Sequence, residues 1–206
     1  MITINKALNL VIELPRDNGT KIYVHSTPIS ALVFDAYFLV IAKTFDTIYS
    51  EGMSQLSGVR VAARLMRKIA RDLNVLDGPS GVENGLFGEM RRLSLVIAPT
   101  KEGSGWQQIT IPEAIKIGLL DDEDVAEVEN CLAFFTVLSS MHLKKDRGPI
   151  LGSALPLWGA RLESLNATDF LRSLTTSTVD APTSSETKAS PTPSPMAAPA
   201  ASSAPF

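Results

Sequence analysis

Ile2-Thr3-Ile4-Asn5-Lys6-Ala7-Leu8-Asn9-Leu10-Val11-Ile12-Glu13-Leu14 opens the chain and decides its fold class. Ile2, Ile4, Leu8, Leu10, Ile12 and Leu14 take the even positions, and Thr3, Asn5, Asn9 and Glu13 take odd ones. Side chains alternate between the two faces of a strand, so this pattern predicts a strand with one apolar face. Residues 15–20 supply turn chemistry, with Asn18-Gly19 suited to positive φ. Residues 21–25 predict the return strand, with Ile22 and Val24 on the same inner face. A β-hairpin over about residues 1–27 follows.

Beyond the hairpin the apolar period lengthens to that of a helix. Pro28 opens a helix to about Ser50, closed by Gly52. Leu32, Val33, Ala36, Leu39, Val40 and Phe45 give it a broad apolar surface. Its charge is sparse, so much of its circumference is expected to be buried. A second helix over residues 56–75 carries Arg60, Arg64, Arg67, Lys68 and Arg71 within an arc of about 100°. Val61, Leu65, Met66, Ile69 and Leu73 lie opposite. After the break at Asp77-Gly78-Pro79-Ser80-Gly81, a third helix is expected over residues 82–97, weakened by Gly85 and Gly88 and stopped by Pro99. A short strand over 106–111 and a short helix over 113–117 follow, with Pro112 in the helix's first turn. Asp121-Asp122-Glu123-Asp124 opens a long helix to about Leu143, with Ala133, Phe134, Val137, Leu138 and Met141 on its apolar face. Residues 146–161, with Gly148-Pro149, Gly152, Pro156 and Gly159, read as irregular. Asn166 with Asp169 resembles a capping box for a last helix to Leu174. The fold class is therefore α+β and predominantly α-helical.

At about Thr175 the composition changes. All 13 glycines lie before it, and 26 of the 32 residues from 175 to 206 are Ser, Thr, Pro or Ala. Such a segment cannot bury enough apolar surface to order itself, so it predicts a disordered tail behind a folded domain over residues 1–174. That length is enough for one buried core. The net charge of −3 gives no support to a general binder of polyanions. Glu13, Arg16 and Asp17 interrupt the N-terminal apolar stretch, so no signal peptide is expected. The most apolar stretches, charge-free over 36–42 and 130–143, fall short of the roughly 20 apolar residues that span a bilayer.

Catalytic chemistry finds little support. His25 follows an alternating strand, where a sheet edge explains it, and His142 sits in the last turn of a helix. Neither has the partners a general base needs. Cys131 is the only cysteine and lies in an apolar helix face, which reads as an inert buried thiol. The glycine pairs at 78–81 and 103–105 match no phosphate loop. The acidic run at 121–124 has helix-capping rather than metal-loop spacing. Catalytic, cofactor and metal residues are accordingly expected to be absent. The basic stripe Arg60, Arg64, Arg67, Lys68 and Arg71 is the one candidate binding feature. It reads either as a solvated helix face or as a face for self-association or an acidic partner, such as the 121–124 run of a second copy. No aromatic residues interleave with it, which argues against nucleic acid.

Several segments together resemble one family. They are residues 1–10, Tyr23-Val24-His25-Ser26-Thr27-Pro28-Ile29, Ile48-Tyr49-Ser50-Glu51-Gly52 and Phe134-Phe135-Thr136-Val137. Met141-His142, Trp158-Gly159-Ala160 and Ser164-Leu165-Asn166-Ala167-Thr168-Asp169-Phe170 belong with them. Over about residues 1–178 the chain resembles the tail assembly chaperones of long, non-contractile-tailed bacteriophages and their prophage relatives. The resemblance implies a non-enzymatic factor of the host bacterial cytoplasm, absent from the mature virion. It implies binding to the tape-measure protein, a long helical chain prone to aggregation, and recruitment of tail tube subunits around it. In many relatives a ribosomal frameshift also yields a longer minor form that engages the tube protein. The alternatives are a structural tail component, such as a terminator or connector subunit, and a small nucleic-acid-binding regulator.

Overall fold

The alternating N-terminus forms the middle of a sheet rather than a lone hairpin. In a computed structural model of the chain, residues 8–100 and 105–179 are described, apart from the side chains of 54–56, 144 and 175–179. Strands β1 (Asn9–Pro15) and β2 (Lys21–Ser26) pair antiparallel, with Leu10 opposite Ser26, Ile12 opposite Val24 and Leu14 opposite Ile22. Gly19 closes the turn at φ 78°, and the Asn18 side chain accepts from the Thr20 amide at 3.0 Å. Three more strands join them: β3 (Ser94–Pro99), β4 (Trp106–Thr110) and β5 (Ala160–Glu163). The sheet has the order β4-β3-β2-β1-β5, antiparallel throughout.

The helices are α1 (Ala31–Ser50), α2 (Ser54–Asp72), α3 (Gly88–Arg92), α4 (Ile111–Lys116), α5 (Asp122–Met141), α6 (Lys144–Ala154) and α7 (Ala167–Val179). A single π-helical segment, Val82–Phe87, leads into α3. The expected α+β class with an N-terminal hairpin and a helical body holds. Helix α5 starts where the acidic run places it. The Asp121 carboxylate accepts from the Asp124 amide at 2.8 Å, and the Asp124 carboxylate accepts from the Asp121 amide at 3.1 Å, a reciprocal capping box. Asp124 also takes both guanidinium nitrogens of Arg16, at 2.8 and 2.7 Å, which ties the hairpin turn to the start of α5.

Four expectations are corrected. The third helix does not reach Ile97: helical structure ends at Arg92, and residues 94–99 form β3. The apolar run Leu95-Val96-Ile97-Ala98 is short and β-branched, and it pairs with both β2 and β4. The stretch from 146 onward is not irregular. Helix α6 runs through Pro149, and Gly159, at φ 64°, turns the chain into β5. His25 is not at an edge. It is 1% exposed on the central strand, with Nε2 2.9 Å from the Leu165 carbonyl. Helix α7 continues five residues beyond Leu174, to Val179. Residues 1–7 and the 180–206 part of the expected tail lie outside the described residues.

The sheet is covered on both faces. Leu10, Ile12, Leu14, Ile22, Val24, Val96 and Ala98 join the main core with α5. Val11, Tyr23 and Ile97 face the other way and pack under α7 through Phe170, which is 2% exposed. Burial of such a phenyl ring stabilises by about 2–3 kcal/mol. Phe170 meets Tyr23 edge to face at 5.5 Å. The chain entering α7 is held at one atom, the Leu165 carbonyl, which accepts from Asn9 Nδ2 at 2.8 Å beside His25. On the main-core side α2 and α1 pack on α5. Two glycines permit that packing. A Cβ on Gly58 would lie 3.0 Å from Ile48 and 3.2 Å from Phe134, where the three helices meet. A Cβ on Gly85 would lie 1.7 Å from the Tyr37 hydroxyl, which itself donates to the Ser80 carbonyl at 3.0 Å.

Gly85→Ala must therefore displace Tyr37 and break its hydrogen bond. We expect a loss of about 1–3 kcal/mol in urea unfolding, as overpacked sites typically show. An unchanged midpoint would mean that α1 does not seat on the π-helical segment.

Candidate partner-binding surface

The five basic residues of α2 do not share one surface. Arg67 turns inward to a cluster of four charges. Its Nε lies 2.7 Å from Glu83 Oε2 and its Nη2 lies 2.7 Å from Glu129 Oε2. Arg91 reaches the same two carboxylates, at 2.7 Å to Glu83 and 2.6 Å to Glu129. The Arg67 guanidinium also stacks 4.1 Å above the Phe87 ring. Each arginine thus bridges two acids, and α2, the π-helical segment, α3 and α5 are joined by charge. Lys68 pairs with Asp72 one turn on, in the open, and Arg71 is exposed.

Arg60 and Arg64 line a cleft of about 260 Å³ between α2 and α5, facing Glu123 and Glu127 with Trp158 at one side. Its lining carries both signs of charge, so it presents no uniform field to an acidic or a basic partner. Cys131 also lines it, but burial pushes the thiol up to about 12 and leaves it protonated and inert near neutral pH. Asp124, offered by the sequence as a partner for the stripe on a second copy, is engaged by Arg16 within its own chain. Among the described residues no group of three or more His, Cys, Asp or Glu side chains could hold a metal ion. No helix among them is long and apolar enough to cross a membrane.

The surface that stands out is on α1, and it overturns the expectation that this helix is mostly buried. Only Val40, Ile41, Thr44 and Ile48 are buried on it. Leu32 is 80% exposed, Leu39 53%, Phe38 50% and Tyr49 46%. Along one side, Phe34 packs edge to face on Phe38 at 5.6 Å and Phe45 lies against Tyr49 at 4.5 Å. His142, at the end of α5, meets Phe45 at 5.5 Å, and the neighbouring Leu143 is 68% exposed. These rings form a strip from residue 34 to 49, about 22 Å at the rise of an α-helix. Sequence reading missed it. A helix apolar all round reads as a core helix, and periodicity does not say which neighbours cover it. The available signal was the recurrence of aromatic residues at 34, 38, 45 and 49, one stripe of the wheel.

Comparison with known proteins returns no match: no family model, no curated protein and no solved structure.

The charge cluster has a pH signature. Hydrogen bonding from Arg67, reinforced by Arg91, holds the Glu83 carboxyl at about 2, below its ordinary 4.5. The unfolded chain therefore binds the proton more readily, so this contribution is complete above pH 4.5 and is lost as pH falls toward 2. We expect Glu83→Gln, which leaves Arg67 and Arg91 sharing Glu129, to lower stability by about 1 kcal/mol at pH 7. The variant should also lose the part of the parent's decline below pH 4.5 that Glu83 supplies. Urea titrations at several pH values check both. Parallel curves for parent and variant would show that the cluster contributes nothing.

Proposed function

We propose that the chain is a non-enzymatic tail assembly chaperone that binds the tape-measure protein through the aromatic strip of α1 and helps to recruit tail tube subunits. The observation that carries this reading is the strip itself. Exposing Phe38, Tyr49 and Leu143 to water is unfavourable, and exposed apolar patches of this kind mark partner sites. A long helical client presents apolar side chains about every third or fourth residue. A strip of four turns on a rigid helix matches that spacing. The resemblance of residues 1–178 to the chaperone family supports the same conclusion. Under this reading the protein acts in the host bacterial cytoplasm and is left out of the finished particle. The Ser/Thr/Pro/Ala-rich segment 180–206 would serve as the tether of a frameshift-extended form that reaches the tube protein.

Co-expression with a tape-measure fragment tests it. The parent should keep the fragment soluble. Phe38→Asp with Tyr49→Asp should abolish that, while circular dichroism shows the helical fold intact, because both side chains are half exposed in the free protein. A double variant that solubilises the fragment as well as the parent would remove the strip from the function. Mass spectrometry of purified particles separates the structural alternative, since a terminator or connector subunit persists there.

A further inference from the structure

The side of α1 that points away from the core carries a second arrangement, about 110° around the helix from the aromatic strip. Leu39, 53% exposed, sits at its centre. Asp35 and Lys43 lie four residues before and after it, about 40° to either side at 100° per residue. Ala36 and Ala42 lie three residues before and after. Both charges are exposed, and neither makes an ion pair among the described residues. This spacing is its own complement. A two-fold axis through Leu39, perpendicular to the helix, brings each residue opposite the one equally far on the other side. Leu39 then meets Leu39 of a second copy, Asp35 comes level with Lys43 across the seam twice, and Ala36 and Ala42 lie on opposite flanks beside them. The small alanines allow close approach, and two ion pairs flank an apolar centre. An isologous contact needs this kind of self-complementary patch.

We infer that α1 pairs antiparallel with α1 of a second copy of this chain, with Leu39 on the two-fold axis and reciprocal Asp35–Lys43 ion pairs setting the register. The aromatic strips then lie outside the contact, one on each protomer, and remain open to a client.

Sedimentation equilibrium of the full chain tests this. The parent should approach twice its 22.2 kDa mass. D35K or K43D alone places like charges opposite each other at both symmetric positions and should weaken the dimer at least about tenfold. The double variant D35K/K43D restores opposite charges and should return to near the parent's affinity. L39C should cross-link to its own copy under mild oxidation, with Cys131 buried and silent. A parent that stays monomeric at all concentrations overturns the inference. So does a dimer indifferent to the single reversals, or one that the double variant does not recover. These measurements read mass, whereas the strip variants read client solubility, so the two conclusions fail separately.

Discussion

Helix α5 has no free side between Cys131 and Ser139, where nine consecutive residues are buried. Such a helix must be surrounded, and its surroundings are the rest of the fold: β1 of the sheet on one side, α1 and α2 on another, and α6 beyond. Its backbone bonds are satisfied internally, so the burial costs little in unpaired polar groups. Of the two polar side chains in the run, Thr136 and Ser139, Ser139 donates to the Thr136 carbonyl at 3.3 Å. The position of α5 is set at its start by the capping box and Arg16, and along its length by Glu129 and by the contact at Gly58. Arg16 fixes α5 against the hairpin turn, Glu129 against α2 and α3, and the contact at Gly58 against α2 and α1.

How much the sequence revealed depended on whether the deciding interaction was local. The hairpin turn was legible because Asn18-Gly19 solves a backbone problem within four residues. The start of α5 was legible because Asp121 and Asp124 satisfy each other's amides. The start of α7 was legible in the same way, through Asn166 and Asp169. Strand β3 was not, because residues 94–98 form a short apolar run whose conformation is decided by β2 and β4. The course of the chain through Pro149 was misread because proline and glycine mark irregularity only in the absence of tertiary support. Val11 and Tyr23 interrupt the simple inside–outside reading of the hairpin, and only the position of α7 explains why they are apolar.

The candidate site divides along the same line. The arc of basic residues on α2 was visible, but not its meaning. Arg67 lies in that arc and yet faces inward, because Glu83 and Glu129, distant in sequence, come to meet it. Charge spacing on one helix identifies a face and is silent about what stands opposite. The converse holds for α1: its apolar residues were visible, and their exposure was not. Both outcomes follow from the same fact, that a helix wheel describes one partner of a contact.

The covering of the sheet by α7 gives the molecule a front and a back. Helix α1 and its two faces belong to the front, while the chain departs at Val179 from behind the sheet, with the sheet and the α5 layer in between. A chain continuing from α7 therefore starts on the side of the sheet away from α1.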